Sequence, residues 1–333
     1  MSKNKIKIIT TVGPNLDFKK YLLNNFIKRK VSSNYSIIMV NDAKSLQKEL
    51  LNANVIITNK WPNKIHKAPD LQLLQIPAAG YDNIHFPSIP IGCNVCNIFE
   101  HEAPIAEYCM LAMLESEIKL FKMNSLLKKG DWTGYFSNSG FHGELMHKEL
   151  AIIGYGHIGK EIYRRAQSFG MKTTAVVKNI ANYKNSNSKK LTFLSIKNIQ
   201  KYLNNFDYII VACPLTNETK NIISHDFIKK MKKSSVIINI ARGPIINEKA
   251  LYIALKNKTI RGAIIDVWYK YPKVNNTKKL WPSKFPLHKL ENIYMSAHMS
   301  AWTHQLWERR FEIITKNIEN LRNGRKLINI IKN

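Results

Sequence analysis

The stretch Leu150-Ala-Ile-Ile-Gly154-Tyr-Gly156-His157-Ile158-Gly159-Lys-Glu-Ile-Tyr163 decides the fold. An apolar run of strand length stops at a glycine, and an amphipathic helical pattern begins within a few residues. Such a turn suits a phosphate. Gly154 permits the tight bend, Gly156 lets backbone approach a pyrophosphate, and Gly159 lets helix and strand pack closely. The helix start at His157 and Ile158 then offers N–H groups to the anion. A lone G-x-G-x-x-G is weak, because glycine punctuates many turns. Strand before and helix after make it a dinucleotide-binding turn.

Reading outward, a chain of 333 residues has room for two domains, each with a core. No apolar run approaches the roughly 20 residues of a membrane-spanning helix. The charged start Met1-Ser-Lys-Asn-Lys lacks the apolar segment of a secretory signal. Cys93 and Cys96 form a C-x-x-C on a strand-like run, where their spacing sends the thiols to opposite faces. With no second pair to complete a zinc site, the expectation is buried structural thiols in a reducing cytoplasm, and no metal. The net charge of +28 raises nucleic acid as a partner. Yet only nine of the 51 basic residues are Arg, Lys is spread along the whole chain, and no basic run is interleaved with aromatics. Steering of anionic substrates is the more modest consequence.

The first hundred residues alternate short apolar strands (Lys5–Thr11, Ile37–Val40, Val55–Thr58, Leu71–Ile76, Cys93–Ile98) with helical patterns at Asp17–Lys30 and Ala43–Leu51. That alternation predicts a parallel sheet with helices on its faces. A long helix from Pro104 toward Leu127, with Tyr108, Leu111, Leu114, Ile118 and Phe121 at helical spacing, reads as a linker between domains with an apolar face that could serve a dimer. A second alternating series follows the glycine turn. It has strands at Lys172–Val177, Tyr208–Ala212, Val236–Asn239, Gly262–Val267 and Ile293–Ser296, and helices at Ile196–Leu203, Asp226–Met231 and Glu248–Leu255. A C-terminal helix carries Trp307, Phe311, Ile314, Ile318 and Leu321 on one stripe, expected to pack against the first domain.

Three short segments end strands of this second series: Asn239-Ile240-Ala241-Arg242-Gly243, Asp266-Val-Trp268-Tyr-Lys-Tyr271, and Ser296-Ala-His298. Strand ends on one edge of a parallel sheet converge on the ligand crevice. Taken singly, each has an ordinary explanation as a surface charge, a turn cap or a structural histidine. Together they suggest anion clamping, amide recognition and proton transfer.

With these segments in view, the chain resembles the D-isomer-specific 2-hydroxyacid dehydrogenases, formate dehydrogenase included, over nearly its whole length. The resemblance rests on Gly80-Tyr-Asp-Asn-Ile84, Ile105-Ala-Glu107, Gly154 to Gly159, Pro214-Leu-Thr-Asn-Glu-Thr219, Ala241-Arg-Gly243, Asn247-Glu-Lys-Ala-Leu251, Asp266-Val-Trp268 and His298. It implies an α/β protein of two doubly wound domains. A Rossmann-type NAD(P)-binding domain, residues 103–297, would be inserted into a split flavodoxin-like substrate domain, residues 1–102 and 298–333. It also implies an NAD(P)-dependent oxidoreductase acting on the CH–OH group of a small D-2-hydroxy acid, of glyoxylate or hydroxypyruvate type, and assembled as a homodimer. Arg242 would bind the substrate carboxylate, backbone at Ala79 and Gly80 would hold it, and His298 would be the acid/base. Asp266 would contact the nicotinamide carboxamide. Lys178, Pro214, Thr219, Ile240 and Ala241 would line the cofactor with the glycine turn.

Two departures stand out. Where the family places a glutamate that pairs with the histidine, this chain has Tyr271, which supplies no charge near neutral pH. The acid expected at the adenosine ribose falls near Val177, followed here by Lys178, which leans the cofactor toward NADP. Tyr271 also leaves open a cofactor-binding sensor or co-regulator, and a formate-type dehydrogenase is a further alternative.

Overall fold

The computed structural model describes residues 5–11, 20, 23–25, 34–63, 67–137, 140–183, 191–272 and 279–332. The chain divides into two compact units, one of residues 1–100 with 303–333 and the other of residues 101–302. His298 thus groups with the second unit, five residues before the chain returns to the first at Thr303. The reason is local: backbone N–H groups of Met299 and Ser300 are bound to Asp266 of that unit.

In the first unit, strands β1 (Ile6–Thr10), β2 (Tyr35–Met39), β3 (Val55–Ile57), β4 (Leu73–Gln75) and β5 (Asn94–Cys96) are parallel neighbours in the order β5-β4-β3-β1-β2. Their residues alternate between two cores. Ile8, Val55, Ile57, Leu73 and Cys96 meet the C-terminal helix through Trp307, Phe311, Ile314 and Ile318. Ile9, Ile56, Leu74, Cys93 and Val95 face the other side. Cys93 and Cys96 are therefore buried in different cores, and burial pushes each thiol up to about 12. The helix expected at Asp17–Lys30 lies largely outside the described residues. The sequence reading missed Ile330–Lys332, which joins β5 as an antiparallel edge strand. Three residues are too short for a period-two pattern to register.

The second unit opens with α2 (Glu102–Ile118), after α1 (Ala43–Leu50) of the first. Rather than a bare linker, α2 is a packed element. Ile105, Ala106, Cys109, Met110 and Met113 are buried against the sheet and against α4 (His157–Ser168). It stops at Lys119, whose φ of 57° breaks the expected single helix before α3 (Leu120–Leu127). The opposite face carries Leu111 and Ile118 outward. Apolar residues fall on both the buried and the outward side of the helix, so spacing alone did not show which stripe is buried.

The sheet of this unit runs β12-β11-β10-β9-β6-β7-β8, all parallel. Its strands are β6 (Glu149–Ile153), β7 (Lys172–Val177), β8 (Leu191–Ser195), β9 (Tyr208–Val211), β10 (Val236–Asn239), β11 (Gly262–Ile265) and β12 (Ile293–Met295). The chain starts at β6, builds outward through β7 and β8, then returns to β9 on the other side of β6. That reversal is the topological switch point of a doubly wound sheet. Alternate residues feed two cores: Leu150, Ile152, Tyr208, Ile210 and Ile238 on one face, Ala151, Ile153, Ile209, Val211 and Ile237 on the other. The expected helix at Ile196–Leu203 is instead two 3-10 turns, Ile199–Lys201 and Leu203–Asn205, preceded by the unexpected strand β8. Its apolar positions Ile199 and Leu203 mimic helical spacing while simply plugging the core.

Candidate active site

The glycine turn sits at the switch point. Gly154 has φ of 102°, and a Cβ there would lie 2.7 Å from the Cys213 nitrogen at the end of β9. Only glycine satisfies both the left-handed backbone and that close approach. Gly159 is equally constrained, because a Cβ would lie 2.2 Å from the Gly154 carbonyl oxygen. Gly156 differs: nothing stands within 4 Å of its ideal Cβ. The space over the turn is kept open where backbone must meet a ligand. Gly156 is also the N-cap of α4, with no side chain capping it, and the first bond of the helix runs from Lys160 N–H to the Gly156 carbonyl. His157, Ile158 and Gly159 thus begin a twelve-residue helix whose N-terminal end attracts anions. Turn, open cradle and helix fit the pyrophosphate of a dinucleotide.

The neighbouring strand ends carry the remaining residues expected to line it. After β9, Pro214 begins a loop that Thr219 closes, its hydroxyl donating to the Pro214 carbonyl at 2.7 Å and accepting from Thr216 N–H at 2.7 Å. After β7, Lys178 pairs with Glu218 of that loop at 2.8 Å. Because β6 lies between β7 and β9, this exposed pair reaches past the strand that carries the glycine turn. After β10, Ile240 and Ala241 are buried and Arg242 emerges half-buried, its Nη1 donating to the Ala241 carbonyl at 2.8 Å. Asn239 shapes this corner. Its amide donates to the Arg242 carbonyl at 3.0 Å, and its carbonyl accepts from Ala241 N–H at 3.1 Å. Gly243 follows under the Trp268 backbone, where a Cβ would meet the carbonyl oxygen at 2.4 Å.

Asp266 after β11 is fully buried, and both its oxygens are used. One accepts from Ser296 Oγ at 2.5 Å and Met299 N–H at 2.8 Å, the other from Ser300 N–H at 3.0 Å. Burial opposes its charge, yet the hydrogen bonds from Ser296, Ser300 and Met299 hold its carboxyl below the usual range. Asp266 therefore anchors the turn that carries His298, a role the sequence reading did not assign to it. His298 adopts φ of 57° in that turn. Its imidazole is exposed at the loop but crowded by its neighbours. Desolvation lowers its pKa, the Arg242 charge lowers it further, and the Asp266 carboxylate works in the opposite direction.

Tyr271 lies beside His298, ring centroids 5.6 Å apart and planes tilted by 50°. Its hydroxyl accepts from Trp268 N–H at 3.0 Å, so the phenol is tied to its own loop while the ring faces the imidazole. Trp268, given no role in the sequence reading, is the hub. Its backbone covers Gly243, its N–H holds Tyr271, and its indole donates to the Ser296 carbonyl at 2.7 Å. The signal was available in the tryptophan two residues after Asp266. A large side chain with one donor, placed at a strand end, needs a partner when buried. Ala79 and Gly80 belong to the first unit, in the loop after β4, where Asn97 donates to the Ala79 carbonyl at 2.9 Å. Among the described residues there is no cluster of acid, His or Cys side chains that could hold a metal ion, and no helix is long and apolar enough to cross a membrane.

The second unit thus gathers an anion cradle, a guanidinium and an imidazole along one sheet edge. Known proteins resemble the chain in sequence and fold. Residues 110–300 match the family model of the D-isomer specific 2-hydroxyacid dehydrogenase NAD-binding domain. The D-3-phosphoglycerate dehydrogenase of Methanocaldococcus jannaschii is 30% identical over 297 residues, covering 86% of this chain and 53% of that protein, so the chain spans about half its length. The glyoxylate reductase of Thermococcus kodakarensis is 27% identical over 267 residues, covering 77% of this chain and 75% of the relative. In fold, the 2-hydroxyacid dehydrogenase of Ketogulonicigenium vulgare Y25 superposes with a TM-score of 0.80 at 19% identity, covering 99% of both chains. The matched NAD-binding domain includes the glycine turn and its open cradle, and the chain belongs to the D-isomer-specific 2-hydroxyacid dehydrogenase family.

Proposed function

We propose that the protein reduces a small 2-oxo acid, of glyoxylate or hydroxypyruvate size, to its D-2-hydroxy acid with NAD(P)H. The observation that carries this reading is that Arg242 and His298 follow strands of the same parallel sheet as the glycine turn, with the Arg242 charge acting on the imidazole. Bound reduced nicotinamide supplies the hydride. Arg242, a permanently charged planar fork, clamps the substrate carboxylate and draws electron density from the carbonyl. His298 gives its proton to the carbonyl oxygen as it becomes an alkoxide, and takes it back in the reverse direction.

Replacing Arg242 with Lys keeps one charge and removes the fork. Loss of about 3 kcal/mol of charge-assisted hydrogen bonding corresponds to a fall of about 100-fold in kcat/KM for the 2-oxo acid, with cofactor affinity retained. Steady-state kinetics and fluorescence titration of reduced cofactor test it. Undiminished kcat/KM in Arg242→Lys would remove Arg242 from the reaction.

At the adenosine end, no acid stands at Val177, and Lys178 favours a 2′-phosphate, so NADP is the preferred cofactor in this reading. Glu218, paired with Lys178, gives ground to that phosphate. A homodimer is supported by the apolar surface around α3, where Leu111, Ile118, Leu120, Phe121, Trp132 and Phe136 are exposed. The four buried, unpaired thiols suit a cytoplasmic setting.

A further inference from the structure

The turn that presents His298 is held by a hydrogen-bonded chain that begins on another element. Tyr108 OH, on α2, lies 2.7 Å from Ser296 Oγ, which lies 2.5 Å from Asp266 Oδ1. The direction of the protons follows from the ends. Asp266 is ionised and can only accept, so Ser296 spends its single hydroxyl proton on the carboxylate. Toward Tyr108, Ser296 then has only a lone pair to offer, and Tyr108 must donate. Burial pushes the Tyr108 hydroxyl up to about 12, so it keeps that proton throughout any working range.

Ser296 is therefore tethered at both polar ends: Oγ between Tyr108 and Asp266, and its carbonyl by the Trp268 indole. Two residues on, His298 sits in a left-handed conformation that an L-residue adopts only when its flanks are fixed. Met299 and Ser300 supply the far anchor through Asp266. We propose that Tyr108 is a positioning residue for the reaction: by donating to Ser296 it locks the near end of the turn that aims His298. The inference rests on His298 being the acid/base named above. It assigns part of the reaction's geometry to a helix that packs against the sheet and α4. Within the second unit, the groups facing the imidazole are the Asp266 carboxylate, the Arg242 guanidinium and the Tyr271 ring.

The test uses the full-length protein with Tyr108→Phe, Ser296→Ala and the double variant. Removing one hydroxyl from Tyr108 leaves its ring packing intact, and melting temperatures check that each variant folds. The expected result is a fall of about tenfold in kcat at unchanged KM for the cofactor, since the glycine turn is untouched. The effects should be non-additive, the double variant being no worse than Ser296→Ala alone, because both residues act through one chain. An NMR titration of the His298 imidazole, identified by its loss in His298→Gln, should move toward the ordinary value of about 6.5 in Tyr108→Phe as the loosened turn lets water reach the ring. Unchanged kcat with an unmoved His298 titration would overturn the proposal, as would additive effects of the two substitutions. If the wild type reduces no 2-oxo acid, the functional reading fails, and the titration arm alone still decides the role of Tyr108.

Discussion

At the scale of single residues, the proposed acid/base role of His298 makes it the group that sets how activity depends on pH. Its pKa is lowered by desolvation and by Arg242, with Asp266 opposing. Reduction needs the imidazolium, so kcat/KM for the 2-oxo acid should climb as pH falls through a midpoint below the ordinary value of about 6.5, while oxidation of the hydroxy acid should gain as pH rises. Tyr271→Glu would place a carboxylate beside the ring that Tyr271 now faces at 5.6 Å. An opposite charge at that range favours the protonated form, so the midpoint should rise by about one unit. A pH–rate profile of the variant measures it, and an unmoved midpoint would show that position 271 does not act on His298. The sequence drew attention to Arg242 and His298 because each closely follows a strand and has chemistry of its own, and to Tyr271 because it replaces the family's glutamate. It left Asn239 and Trp268 unread. Their contribution is to hold backbone at other segments, through contacts that chain order does not display. Tyr271 stands where the family has its glutamate; its ring lies beside His298 while its hydroxyl accepts from Trp268 N–H.

Among elements, the turn between β6 and α4 separates the demands of folding from those of binding. Gly156→Asp puts a good N-cap where space is open, so thermal stability should hold within about 0.5 kcal/mol, while the carboxylate occupies the anion's place. Dinucleotide affinity should then fall at least about 100-fold, the equivalent of about 2.7 kcal/mol. Gly159→Ala drives a methyl into the Gly154 carbonyl, and should cost about 1–3 kcal/mol of stability. Calorimetry and fluorescence titration distinguish the two, and equal effects on both properties in both variants would refute this division of roles. The strands that bracket the site were readable because buried parallel strands are continuous apolar runs. β8 and the 3-10 turns after it were not. Leu191–Ser195 is half-polar on the sheet's edge, and the core-plugging Ile199 and Leu203 fall four residues apart, as on a helix. A single residue, Lys119 in the left-handed region, splits what reads as one long helix into α2 and α3.

For the molecule as a whole, the proposed homodimer would use the exposed apolar side of α2 and α3. Leu120 and Phe121 are 60% and 55% exposed, far more than isolated surface apolar residues need. Sedimentation should show a dimer that Leu120→Asp with Phe121→Asp converts to monomer, and a monomeric wild type would overturn the assignment. The two-unit plan was legible because each strand series alternates with helical patterns. The position of the return was less so, since Asp266 draws His298 into the second unit through bonds formed only in the fold. The most direct measurement of the central claim is absorbance loss of NADPH and of NADH with purified protein and a panel of 2-oxo acids, with chiral analysis of the product. Turnover with a small 2-oxo acid, faster with NADPH and yielding the D-hydroxy acid, is the predicted result. Tight binding of either cofactor with no turnover of any 2-oxo acid would contradict it.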